Sequence, residues 1–187
     1  MSKLLISVLG HDQPGIIAAI SEAILLKQGN VENVSQTLLQ SVFGALIIVT
    51  VPENISPENL KEELLEKTKA LALFIHVDKY TDKTQTSQTE LTQPYIVTVL
   101  GADQKGLVFE VSKLLAKHRV NITNMQALFK GGDEPSDNLM IFEVDVPKST
   151  VMSELRTALE KTSKSLALEI NIQHQGIFEA VSRIQNI

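Results

Sequence analysis

The chain has 187 residues with neither cysteine nor tryptophan, so disulfides, thiolate metal sites and cysteine nucleophiles are excluded. Its 17 basic and 22 acidic side chains leave a net charge of −5. They divide as 6 basic and 9 acidic over residues 1–80 and 10 and 11 over 95–187, so neither half offers a basic surface and no direct nucleic-acid binding is expected.

The apolar run Leu4–Leu9 reads as a buried strand that empties into Gly10-His11-Asp12-Gln13-Pro14-Gly15. Ile16, Ile17, Ile20, Ile24 and Leu25 then recur at helical spacing, with Pro14 suited to a first helical turn and Gly29 to the end. Val31–Leu39 and Ala45–Val51 are expected strands turning around Val42-Phe43-Gly44. A second helix follows Pro57 on Leu60, Leu64 and Leu65, and Leu71, Leu73, Ile75 and Val77 alternate as a half-buried strand.

The same order returns. At an offset of 91 residues, Val8, Leu9, Gly10, Asp12, Gln13, Gly15, Asn30 and Asn33 meet identical residues; at 95, Val49, Val51, Leu60, Leu64, Leu71 and Leu73 do so. The change of offset places an insertion at Gly131–Ser136. This is a duplicated unit. Each copy is βαββαβ, so the fold class is α+β: two ferredoxin-like domains in tandem with antiparallel sheets. The expected boundaries are domain 1 over 1–80, a polar linker over 81–94 with five threonines and a closing proline, domain 2 over 95–173, and a C-terminal amphipathic extension over 174–187. A unit of this size buries little core alone, so a homodimer is expected.

The glycine-bracketed loops carry the candidate chemistry. A strand that turns into a helix presents unpaired N–H groups at the positive end of the helix dipole, a receptor for a carboxylate. Asp12 beside them suits an ammonium, and Asn30 offers both a donor and an acceptor. A small zwitterion fits that set. Simpler roles stand beside it: Asp12 as a helix cap, Gly10 and Gly15 as turn residues, Asn30 and Asn121 as left-handed helix-end residues. Since the loop and the asparagine lie at opposite ends of the first helix, an interface between units would be needed to join them. In the second loop Pro14 becomes Lys105 and His11 becomes Ala102, which leaves two readings open there: a lost ligand or a changed one.

These features resemble the ACT domain, the small-molecule-sensing module of amino-acid metabolism. The resemblance rests on the G-x-D-x-P-G loop of residues 10–15, Ile16 and the Gly29-Asn30-Val31 junction, and extends over about residues 2–80 and 94–173. A chain of two such domains without an enzyme is similar to the glycine cleavage system transcriptional repressor family. That resemblance implies a repressor that responds to glycine or a similar small amino acid by contacting a LysR-type activator. It also implies ligand contacts at Gly10, His11, Asp12, Gln13, Pro14, Gly15 and Asn30, and at Gly101, Asp103, Gln104, Gly106 and Asn121. The other reading kept open is an allosteric regulatory subunit of an amino-acid or one-carbon enzyme.

Catalysis is not expected. His11, His76, His118 and His174 fall in different elements without metal-ligand spacing, and no nucleophile elbow, phosphate loop or dinucleotide fingerprint occurs. Neither a cofactor nor a metal is implied. The opening MSKLLISVLGHDQPG is broken too early for a signal peptide, and no apolar run approaches the ~20 residues of a membrane helix. A cytoplasmic location follows as the expectation, with no membrane partner.

Overall fold

A computed structural model describes residues 1–81, 90–129 and 138–177. The linker residues 82–89, the insertion Gly131–Ser136 and the tail beyond Ile177 lie outside the described residues. The chain divides into two compact units, Met1–Ser87 and Gln88–Ile187.

In the first unit the elements are β1 (Ser2–His11), α1 (Ile16–Leu26), β2 (Asn30–Leu39), β3 (Val42–Val51), α2 (Pro57–Lys67) and β4 (Phe74–Lys79). The second repeats them as β5 (Thr92–Leu100), α3 (Leu107–Lys117), β6 (Asn121–Phe129), β7 (Asn138–Pro147), α4 (Met152–Leu166) and β8 (Glu169–His174). Strand order is β2-β3-β1-β4 in one sheet and β6-β7-β5-β8 in the other, with every neighbouring pair antiparallel. Among the described residues each unit therefore has a four-stranded antiparallel sheet with two helices between its strands, the ferredoxin-like βαββαβ arrangement.

Alternation sets the core. Leu4, Ile6 and Val8 of β1 and Phe43, Ala45, Ile47, Val49 and Val51 of β3 point to one face and are buried against Ile16, Ile20, Ile24, Leu60 and Leu64. The second core repeats this with Val97, Val99, Phe142, Val144, Val111, Leu115, Leu155 and Leu159. Helix α2 begins at a capping box in which the Ser56 hydroxyl accepts the Asn59 N–H at 3.2 Å, with Pro57 in the first turn.

Four local expectations are corrected. The β2–β3 turn falls at Gln40–Ser41, with Gln40 at φ 55°, and Val42-Phe43-Gly44 belong to β3. Helix α1 starts at Ile16 after Gly15, so Pro14 stands before the helix rather than in its first turn. Strand β5 takes in Thr92, Gln93 and Pro94, opposite Pro147, Val146 and Asp145. Finally, Ile17 and Leu25 are exposed, because α1 is apolar on more sides than its unit covers.

Candidate functional site

The loop between β1 and α1 is built by three contacts. Gly10 lies in β1 opposite Phe43, and a Cβ there would stand 2.5 Å from Leu73 Cδ2. Leu73, just before β4, takes up the space that a side chain at Gly10 would enter. Asp12 donates its backbone N–H to the Ser41 carbonyl at 2.9 Å, fastening the loop to the β2–β3 turn. Gln13 donates its side-chain amide to the Leu71 carbonyl at 3.0 Å. Gly15 then turns the chain into α1 at φ 97°, a left-handed conformation that favours glycine.

The second loop is built likewise. A Cβ on Gly101 would stand 2.4 Å from Leu168 Cδ2, Gln104 donates to the Leu166 carbonyl at 2.9 Å, and Gly106 adopts φ 90° before α3. Gln13 and Gln104, expected among the ligand contacts, hold their loops through main-chain carbonyls. That role was hidden because each acceptor lies about 60 residues away in sequence.

The helix starts are uncapped. Neither Gly15 nor Gly106 has a side chain to cap the helix, and Asp12 makes no cap hydrogen bond to α1. In place of the simple capping role, Asp12 presents an exposed carboxylate on the loop that leads into α1, whose first-turn amides have no acceptor within the helix. His11 and Pro14 are exposed on the same loop, as are Asp103 and Lys105 on the other.

Asn30 and Asn121 lie elsewhere. Helix α1 closes in a Schellman motif: the Gly29 N–H reaches the Ile24 carbonyl, the Gln28 N–H reaches that of Leu25, and Gln28 is the left-handed residue at φ 55°. Arg119, at φ 58°, and Val120 repeat it after α3. The asparagines are thus first residues of β2 and β6, not helix-end residues. Asn30 opposes Thr50, which opposes Lys3, seven residues before Gly10 on β1. At ~3.4 Å per strand residue this separates Asn30 from the loop by about 24 Å within the unit. Asn121, Asp145 and Pro94 set the same distance from Gly101. One unit does not bring the two halves of the expected site together.

A polar cluster occupies the Asn30 end. Glu32 lies in a β-bulge between Val31 and Asn33, pairs with Lys3 Nζ at 2.6 Å and accepts from the Thr50 hydroxyl. The Lys3 hydrogen bond first, and Thr50 second, hold its carboxyl below the usual glutamate value. A group shifted this way contributes its stability above the unfolded-state pKa and loses it as pH falls through the lower folded value. The pair is exposed, so the effect on folding is small. In a side-chain NMR titration, Glu32 is expected to have a midpoint below that of a reference glutamate. Lys3→Ala should move it upward.

Of the expected zwitterion set, the loop therefore gathers uncapped amides and Asp12, while a shallow depression of about 280 Å³ opens on the outer sheet face beside Ser7, Leu9, Thr37 and Leu46. Among the described residues no group of three or more His, Asp or Glu could hold a metal, and no helix is long and apolar enough to cross a membrane.

Two antiparallel βαββαβ units, each with a glycine-bracketed loop before its first helix, define a tandem of small regulatory domains. Residues 2–78 and 93–173 both match the ACT domain family, and the chain belongs to that family. It is 40% identical over 95 residues to a UPF0237 protein of Methanococcus maripaludis and 38% identical over 92 residues to one of Neisseria meningitidis. Each match covers 48% of this chain and 96% of the relative, so those proteins are about one unit long. Across both units, the fold is shared with an unknown protein of Galdieria sulphuraria (TM-score 0.75, 22% identity) and a candidate glycine cleavage system transcriptional repressor (TM-score 0.67, 14% identity). Both alignments span 92% of this chain and 98% of the other.

Proposed function

We propose that this protein is a non-enzymatic sensor of a small amino acid that regulates through contact with another protein. The observation that carries the reading is the pair of helix starts without a side-chain cap, each preceded by an exposed aspartate and both preserved through duplication. First-turn amides receive the carboxylate, and Asp12 or Asp103 receives the ammonium. The missing half of the site, Asn30 or Asn121, comes from a second copy of the chain in a homodimer. The finer role is repression of glycine cleavage transcription by restraining an activator in the cytoplasm. It is supported by the family resemblance and by the two-unit architecture shared with the candidate repressor.

Thermal denaturation of the full chain against glycine, L-alanine and L-serine tests the sensing role. A ligand that binds only the folded state adds about 2.7 kcal/mol at a hundredfold excess over its Kd, a visible rise in midpoint. Asp12→Ala together with Asp103→Ala should abolish the rise with little change in the unliganded midpoint. A flat response across the panel overturns the proposal. Affinity capture of a transcription activator would support the finer role; capture of a metabolic enzyme in its place would replace it with the regulatory-subunit reading.

A further inference from the structure

One buried position breaks the repeat. Asn138 stands 95 residues after Phe43, the offset that also relates Val49 to Val144 and Leu60 to Leu155. Phe43 opposes Gly10 across β3 and β1. Asn138 holds the equivalent place: its carbonyl accepts the Gly101 N–H at 3.4 Å, and the next pair is Leu139 with Leu100. Phe43 is 2% exposed and fills the end of the first core; Asn138 is 3% exposed. Yet among the described residues neither Nδ2 nor Oδ1 of Asn138 has a hydrogen-bond partner.

An amide buried without partners destabilises a fold, and an apolar residue of similar volume removes that penalty. The first unit has an apolar residue here, the larger Phe43. The asparagine of the second unit is therefore a cost to folding that needs another explanation. Its place supplies one. Asn138 shares its sheet face with the buried Met140, Phe142 and Val144, so its amide points to the helix-covered side. The loop beginning at Gly101 crosses that end of the sheet into α3, which starts at Leu107 behind the uncapped, left-handed Gly106. Uncapped backbone donors and an unpaired side-chain amide lie at the same end of one unit. The side chain is also shorter and narrower than the phenylalanine it replaces.

We infer that the loop of the second unit takes a small α-amino acid with a hydroxyl side chain, and that Asn138 reads the hydroxyl. This rests on the reading of these loops as amino-acid receptors. The α3 start and Lys105 hold the carboxylate, Asp103 faces the ammonium, and the side chain descends towards β7. There a hydroxyl, donor and acceptor at once, satisfies both Oδ1 and Nδ2. Phe43 holds the equivalent position under the first loop, so the two loops of one chain differ in the side chain they present to a ligand.

Calorimetric titration of the full chain with L-serine and with L-alanine, its analogue without the hydroxyl, tests the assignment. Wild type is expected to bind L-serine at least tenfold tighter than L-alanine, because L-alanine leaves the buried amide unpaired. Asn138→Leu should bring that ratio to within twofold of one while L-alanine affinity stays within about threefold. Asn138→Ala provides the same readout if the leucine variant folds poorly. Equal wild-type affinity for the two ligands, or a serine preference that survives both substitutions, overturns the inference while L-alanine binding leaves the general sensing role standing. No response to either ligand removes both.

Discussion

Phe43→Ala is expected to lower the unfolding free energy by about 3–5 kcal/mol, the range for deleting a buried aromatic side chain. Phe43 is among the largest fully buried side chains of the first unit, in a core otherwise built from Leu, Ile, Val and Ala. With six phenylalanines and no tryptophan in the whole chain, little bulk is available nearby to collapse into the space. Phe43→Asn, which writes the residue of the second unit into the first, should cost more. It opens the cavity and adds the penalty of an unpaired amide, about 1–3 kcal/mol further. Urea denaturation followed by circular dichroism gives both values, with a lower midpoint at unchanged slope for a simple loss of stability. A loss below about 1 kcal/mol for Phe43→Ala would show that the sheet end beneath the first loop is loosely filled. The contrast drawn between Phe43 and Asn138 would then lose its basis.

Element order was legible because each helix and strand has its own apolar period, and because the second copy repeats the first with identical residues at loops and cores. Leu60 and Leu64, or Val49 and Val51, are buried where their spacing put them. Local spacing failed where a residue's partner is distant in sequence. Gly10 reads as a loop glycine until Leu73 is seen against it, and nothing near Gln13 in sequence announces that its amide holds the Leu71 carbonyl. Ile17 and Leu25 look like core residues because an apolar side chain carries the same signal whether or not anything covers it. The asparagines show a further limit. Their retention through duplication marked Asn30 and Asn121, but only the strand register shows that each sits a sheet length from its own loop. Asn138, a polar residue beside an insertion, carries the sequence signal of a surface position; its burial is a tertiary fact.

Gly10→Ala should destabilise the first unit by about 1–3 kcal/mol, the usual penalty for forcing extra atoms into a packed site. The new Cβ would lie 2.5 Å from Leu73 Cδ2, and Leu73 is only 9% exposed, so its side chain has little room to turn away. A glycine kept for ligand approach alone would behave differently. Alanine in a strand is ordinarily no worse than glycine, whose backbone entropy is greater, so stability would hold while binding fell. A double-mutant cycle with Leu73→Ala separates the two. Leu73→Ala alone loses about 2–5 kcal/mol as a core truncation. If Leu73 is what Gly10 makes room for, adding Gly10→Ala to that background costs little more, and the coupling energy falls between about 0.5 and 3 kcal/mol. Gly101→Ala with Leu168→Ala should repeat the pattern, since the approach there is 2.4 Å. Additive losses in both units would show that the two leucines are not the reason for these glycines. The motif's first glycine would then return to the ligand, the role that its sequence position first implied.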